Sequence, residues 1–418
     1  MPDEPNNQVE RTTFRCELWR AAATGVVETA GSTFLFLIAV AHFHAGANAK
    51  TLIGAGGNCG LVLTPLVVFL VAARNWRTAR AGAALCLIGA LGFAAAAAVP
   101  TLPVFVGGSM LALICSASFV PLMTQIYQEN YPEARRGRLF SNAVMVRIGT
   151  VIAFGYAAGE LLQKNIANFP VLLGTFCASL LLAAVCLARC PSRPLPPEAR
   201  TSPFQGLRHV RNDALFRQML ISWMLMGLAN LMMVMLRVEY MANAKYGPAF
   251  SPREIAMLTI LVPNVARMML SPVWGRLFDR MNFLTMRIIL NVGFAVGALA
   301  FFAGRDMPGM VLGAIVLGIS NAGGDVAWSL WVTKLAKPEQ VAEYMSVHTF
   351  LTGLRGILAP VLAFELIEVL SFQFVSGIGA GLILLASLIL IPELRSARVA
   401  ARAPKPEVPA PLAEEVSG

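Results

Sequence analysis

Glu28 and Asp325 stand inside apolar stretches long enough to cross a bilayer, and Arg147, Arg267 and Arg355 do the same on three others. An ionised group in hydrocarbon is costly, so such residues persist where they face a water-filled path, a bound solute or one another. A carboxylate moving between water and a low-dielectric site changes its proton affinity, because burial favours the neutral form and a neighbouring guanidinium favours the charged one. A guanidinium stays protonated and presents a planar fork of donors that fits a carboxylate or phosphate. These residue types therefore support proton exchange and the clamping of an anionic solute.

Depth follows from the helical rise. Glu28 lies about 12 Å from Arg20 at the basic end of its stretch, and Arg147, Arg267 and Asp325 each lie about 14 Å from Arg138, Arg276 and Lys334. Arg355 lies about 18 Å from Glu343, so all five share one layer near the middle of the bilayer. Helical spacing gives each a polar face: Thr24, Glu28 and Ser32; Asn264 and Arg267; Asn321, Asp325 and Trp328; His348, Thr352 and Arg355. We expect Arg147, Arg267 and Arg355, with Asn230, Asn321 and Trp328, to bind substrate. Glu28, Asp325 and His348 are expected to carry protons, the histidine because its unperturbed pKa is about 6.5. The competing reading is structural: the acids neutralise buried arginines, the arginines cross-tie helices, and the asparagines and Trp328 serve packing.

The elements that hold this layer are membrane helices. The chain has 418 residues, 57% of them hydrophobic and 13% charged, and a mean hydropathy of +0.66, which excludes a soluble globular domain. Windows of about 20 apolar residues, enough for the roughly 30 Å hydrocarbon core, recur twelve times between residues 20 and 392. Strand-like alternation is absent, leaving a helical bundle rather than a barrel. The net charge of +10 does not point to nucleic acid, because the basic residues are dispersed among short loops. With both termini inside, seventeen lie in inner loops and five in outer ones, satisfying the positive-inside rule. The expected location is a plasma membrane, the bacterial inner membrane, with cytoplasmic termini. The first apolar stretch is expected to remain as helix 1, and residues 1–13 and 397–418 to be disordered tails. The seven scattered cysteines read as packing residues. We expect no metal site, no cofactor and no enzymatic activity, since no ligand cluster, nucleophile elbow or phosphate loop is present.

The helices fall into two groups of six. A Pro- and Arg-rich connection, residues 191–215, separates a bundle over 1–190 from one over 216–396. Phe14, Arg15, Leu18, Gly25 and Glu28 are echoed 202 positions on by Phe216, Arg217, Leu220, Gly227 and Asn230. Leu63-Thr64-Pro65, Pro132-Glu133 and Glu160 are echoed at offsets of 205 to 207. A shared order and a near-constant offset argue for duplicated halves.

With Gly275-Arg276-Leu277-Phe278-Asp279-Arg280 after helix 8, followed by Arg287, and with Arg135-Arg136-Gly137-Arg138 after helix 4, the chain resembles a major facilitator superfamily transporter over residues 14–395. The loop after helix 8 is similar to that family's Gly-x-x-x-Asp-Arg motif. The resemblance implies a cytoplasmic gate built on Asp279 with Arg276 and Arg280. The first half departs from the motif, with Val68 and Ala72 at the matching positions. The resemblance also implies that helices 1, 2, 4, 5, 7, 8, 10 and 11 line a central cavity. The expected fold is thus an all-α membrane protein of twelve transmembrane helices in two pseudo-symmetric six-helix bundles. The expected function is secondary active transport of a small polar, anionic organic solute by alternating access, coupled to protons. Its partners would be that small-molecule substrate, protons and the lipid bilayer, with no nucleic acid, and it would work as a monomer. Two alternatives compete: an exporter of amphipathic drugs or lipids, and a non-transporting membrane receptor or scaffold.

Overall fold

The computed structural model describes residues 4–196, 202–242, 250, 252–304 and 306–394, and among them helices provide all the regular structure apart from one isolated bridge between Arg77 and Pro194. Helices satisfy every backbone group within one segment, which is what hydrocarbon demands. Twelve spans follow one another, and we call inner the side that bears the linker and the arginine-rich loops.

Span 1 runs from Glu4–Thr29 through a π-helical turn, Ala30–Phe34, into Leu35–Ala41. Span 2 is Ala47–Val62 followed by Thr64–Ala73. Spans 3 and 4 are Thr78–Ala98 and Leu102–Ser118, the latter extended by Val120–Asn130; spans 5 and 6 are Arg136–Lys164 and Phe169–Arg189. A short helix, Leu207–Asn212, lies in the linker. Span 7 is Ala214–Ala242, and span 8 is Pro252–Ala256, a second π-helical turn at Met257–Leu261, and Val262–Arg280. Spans 9 to 12 are Phe283–Ala303, Met307–Leu330, Val341–Val369 and Phe372–Leu388.

Ten of these units are long and apolar enough to cross a membrane unaided, and the bent span 2 makes eleven. Span 1 falls short because its π-helical turn divides it and its first half is polar. That first half corrects the expectation of a disordered tail over 1–13: residues 4–13 are helical. Glu10 pairs with Arg135 at 2.7 Å and Thr13 accepts a hydrogen bond from Asn130 at 3.0 Å, so its polar groups are tied to the inner ends of spans 4 and 5. Residues 397–418 lie outside the described residues.

Local sequence explains the bend in span 2. Pro65 has no N–H and crowds the carbonyl four residues back. Its axis turns by 47° there, and the Leu61 carbonyl, which Pro65 cannot serve, accepts from the Thr64 hydroxyl at 2.7 Å. Close crossings within each half use glycine. A Cβ on Gly92 would stand 2.5 Å from the Gly108 carbonyl oxygen, and one on Gly108 would stand 2.3 Å from that of Gly92.

The apolar core has an instructive layout. One cluster lies wholly in the first six spans, around Phe93, Phe105 and Phe176, and a second wholly in the last six, around Phe301, Phe302 and Phe372. A third, toward the inner ends, joins both halves, with Phe119, Leu122 and Phe140 against Trp274, Phe278 and Trp331. The halves therefore share one core at the inner side and keep separate cores at the outer side.

Gly92→Val should destabilise the protein by about 2 kcal/mol, the usual effect of forcing methyl groups into a filled crossing. The check is the thermal unfolding midpoint of the purified protein, with Gly174→Ala, where a Cβ meets nothing within 4 Å, as the neutral control.

Candidate functional site

Four of the five charged residues expected at mid-depth meet in one chain of contacts across the two halves. Arg147 on span 5 lies between two carboxylates, its Nε 3.4 Å from Glu28 on span 1 and its Nη2 3.7 Å from Asp325 on span 10. Asp325 is gripped from the other side by Arg267 on span 8, which donates from Nε at 2.5 Å and from Nη2 at 2.7 Å in a bidentate fork. Arg267 also donates to Asn264 one turn away, at 3.3 Å. The order Glu28, Arg147, Asp325, Arg267 alternates in sign and balances to zero formal charge when both acids are ionised.

The two ends of this chain are held differently. The Asp325–Arg267 fork is short and both side chains are under one-fifth exposed, whereas Glu28 is 37% exposed and makes a single loose contact. Arg147 Nε makes no hydrogen bond. A bidentate arginine–carboxylate pair is strong and geometrically fixed, and a 3.4 Å approach is neither. The loose end can exchange partners while the tight end stays put.

Two neighbouring features shape the loose end. The π-helical turn of span 1 begins two residues beyond Glu28, and that of span 8 ends three residues before Asn264, on the outer side of the charge layer in both cases. Such turns often accompany functional sites. Gly25, one turn from Glu28, lets span 5 approach so closely that a Cβ there would lie 2.5 Å from the Arg147 carbonyl oxygen.

Arg355 does not join the layer. Its Nη1 donates to the Trp223 carbonyl, and the side chain lies across Gly227, where any Cβ would collide with the guanidinium. Gly227 and Asn230 on span 7 are the counterparts of Gly25 and Glu28 on span 1. With a neutral asparagine in place of the carboxylate, no ion pair draws Arg355 toward the centre, and it turns into the second half. His348 is likewise fully buried there, ringed by Trp223, Trp328 and Trp331 at centroid distances of 5.2 to 5.5 Å. Asn321 and Asn230 are partly buried on spans 10 and 7.

Every described hydrogen bond or ion pair between the two halves lies from this layer inward. Asp279 at the end of span 8 accepts from the Gly137 amide at 2.6 Å and the Arg138 amide at 2.9 Å, at the start of span 5. Helix N-termini attract carboxylates because their first amides lack partners and carry the positive end of the dipole. The approach requires glycine on both helices: a Cβ on Gly137 would lie 2.5 Å from the Gly275 carbonyl oxygen, and one on Gly275 would lie 2.6 Å from that of Gly137. Arg276 and Arg280 are exposed, and no ion pair with Asp279 involves them. Lys334 reaches Glu133 at 3.3 Å. On the pseudo-symmetric side, where Val68 and Ala72 replace the motif, spans 2 and 11 meet instead through the Thr64 and Thr349 hydroxyls, 2.7 Å apart, and Thr64 lies 3.1 Å from the Ser346 carbonyl oxygen. Gln125 adds two bonds, donating to the Pro338 carbonyl at 2.8 Å and accepting from the Ala342 amide at 3.1 Å. The molecule is closed at its inner side. The role of Gly137 was unreadable from the basic run around it; a glycine in the first turn of a long helix was the only signal.

Asp279→Asn should weaken this closure. Hydrogen bonds to an ionised acceptor are worth roughly 1.5–3 kcal/mol, so removing the charge should move the balance between closed and open inner sides roughly tenfold. Double electron–electron resonance between probes on the inner ends of spans 5 and 8 should then show a longer-distance population that the native protein lacks.

Comparison with known proteins agrees with this architecture. Residues 240–417 match the family model described as Major Facilitator Superfamily. No curated protein matches the sequence. Among solved structures, the human organic anion transporter MFSD10 (TETRAN) superposes with a TM-score of 0.70 at 16% identity, covering 92% of this chain and 99% of its own. The transporter FucP in its outward conformation gives 0.70 at 14% identity, covering 94% and 99%. A bacterial homologue of the iron transporter ferroportin in its outward-facing state gives 0.71 at 14%, covering 93% and 100%. By sequence over residues 240–417 the chain matches the Major Facilitator Superfamily model, and by fold over nearly its whole length this multi-pass membrane protein is similar to solved transporters, FucP of that superfamily among them.

Proposed function

We propose that the protein is a secondary active transporter that carries a small polar solute with a carboxylate or similar anionic group, together with a proton, by alternating access of its two halves. The observation that carries the proposal is Arg147, loosely placed between Glu28 and Asp325 at the level where the shared inner core gives way to two separate outer cores.

The chain of four charges is neutral when both acids are ionised, so it does not by itself attract an anion. Protonating one carboxylate leaves a guanidinium in excess, and a solute carboxylate can take the vacated place. Proton and anion then enter together and the occupied site is again neutral, which a low-dielectric interior strongly favours. Glu28 is the proton carrier in this scheme, because it has the looser and more exposed contact. Arg147 clamps the solute, while Asp325 and Arg267 remain a fixed pair that anchors it to the second half. Asn264, Asn321 and Asn230 supply neutral polar groups to the same path. His348 and Arg355 fall outside it, so we assign them no part in solute or proton passage.

The remaining steps follow from the inner closure. With the basic loops in the cytoplasm, this state opens to the outside and binds solute there. Release inward requires the Asp279 bonds to span 5 and the hydroxyl contacts between spans 2 and 11 to part. These are hydrogen bonds and glycine crossings rather than buried ion pairs, so they can re-form in each cycle. One chain holds the whole path, so the working unit is a monomer. The fold accommodates such chemistry: similarly folded proteins include one described as an organic anion transporter and one described as a proton:xylose symporter.

Proteoliposomes offered radiolabelled small carboxylates, sugars and organic cations, with and without an external acid pH, test this reading. We expect uptake of carboxylates, accelerated by external acid. Glu28→Gln should abolish the acceleration while leaving solute exchange. Arg147→Lys keeps the charge but loses the fork, and should reduce uptake roughly tenfold, the equivalent of one charge-assisted hydrogen bond. Transport of organic cations alone, or full uptake by Arg147→Lys, contradicts the proposal.

A further inference from the structure

The second half contains a cluster of hydrogen-bond donors that the transport scheme leaves unused. Arg287, in the second turn of span 9, is fully buried, although in sequence it follows the basic loop motif after helix 8. Its guanidinium lies over the Trp223 ring at 3.5 Å, and none of its three nitrogens has a hydrogen-bond partner among the described residues. Fully buried His348 has no partner at either ring nitrogen. The indole N–H groups of Trp223 and Trp331, 2% and 1% exposed, are also unpartnered, as is Nε of Arg355.

The charged neighbours of His348 are Arg355 and Arg287, and that of Arg287 is Arg355. None is a carboxylate, and Glu343 on the same span is committed to His209 at 2.8 Å. Two guanidiniums and further N–H donors thus gather around Trp223, Trp328 and Trp331; among the described residues the only hydrogen bond they make runs from Arg355 to the Trp223 carbonyl, and the unpartnered acceptors on the same spans, Ser222 Oγ and Asn291 Oδ1, are neutral and bond to neither guanidinium. An arginine remains protonated in a protein interior. Stacking on an indole offsets only part of the cost of taking that charge out of water. The missing component is an acceptor that is negative, small enough to lie among ring faces, and independent of any protein carboxylate.

We propose that the second half binds a small inorganic anion of halide size between Arg287, Arg355 and His348, with the Trp331 indole N–H as a further donor. The anion supplies the acceptors these groups lack and fixes the inner part of spans 7, 9, 10 and 11 as one unit. The site is separate from the solute path: it lies inside one half and uses none of Glu28, Arg147, Asp325 or Arg267.

The test uses the full-length protein purified in detergent, in sodium gluconate exchanged stepwise for sodium chloride or sodium bromide at constant ionic strength. Thermal unfolding midpoint and tryptophan fluorescence are read together, since Trp223, Trp328 and Trp331 are three of the six tryptophans. The expected result is a saturable rise of the midpoint and a saturable fluorescence change with either halide. Arg287→Met should abolish both. It should also exceed the native protein in stability in gluconate, where it removes an unpaired charge, and fall below it in saturating chloride, where it removes a paired one. Trp331→Phe keeps the ring and loses one donor, so it should saturate only at several-fold higher chloride, a reading available even if Arg287→Met does not fold. A native midpoint indifferent to halide overturns the proposal. So does a halide response of equal affinity in Trp331→Phe and His348→Gln, or an Arg287→Met variant more stable than the native protein in both salts.

Discussion

Arg147 lies within ion-pair distance of a carboxylate from each half, Glu28 and Asp325, and the central layer is arranged around that approach. In a low-dielectric interior the attraction between opposite charges is large, but so is the penalty for removing them from water, so a guanidinium stays at mid-depth only if its partners travel with it. Glu28 comes from span 1, Asp325 from span 10, and Gly25 lets span 5 come near enough to place the arginine between them. Replacing either carboxylate with an apolar residue would leave an unpaired charge, which is the costly outcome, rather than merely a missing contact.

The inner closure has a different chemistry. It consists of an apolar core shared by both halves, amide bonds to Asp279, paired threonine hydroxyls and glycine crossings. Each polar contact is individually modest and each crossing depends on shape. The outer side lacks such ties among the described residues, and the two outer cores stand apart. The central charges therefore sit at the boundary between a sealed half-depth and a separated one, which is where a solute held by both halves would sense their relative rotation.

Much of this was legible in the sequence, in specific ways. The apolar windows gave the spans, and the rise per residue put Glu28, Arg147, Arg267 and Asp325 at one depth, where the structure joins them. Depth along a helix is nearly fixed by counting; rotation about its axis depends on what packs against it. That is why Arg355 and His348, correctly spaced along span 11, turn into the second half instead. The counterpart of Glu28 there is Asn230, and without its charge nothing draws Arg355 inward to the layer. Arg287 follows the basic loop motif in sequence, and a charge near a helix end ordinarily reaches water. In the structure Trp223 covers it, and no local pattern announces a covering residue more than sixty positions away. The helical start of span 1 was missed because polar composition near a chain end resembles disorder until its partners, here Arg135 and Asn130, are known.

The account stands on a single exchange: a proton on Glu28 frees Arg147 for the anion. Proton uptake on solute binding measures this directly, using purified protein in weakly buffered solution with a pH indicator and a solute identified by uptake. The account predicts close to one proton taken up per solute bound by the native protein and none by Glu28→Gln. Solute binding with no proton uptake, or with the same uptake in Glu28→Gln, would contradict it.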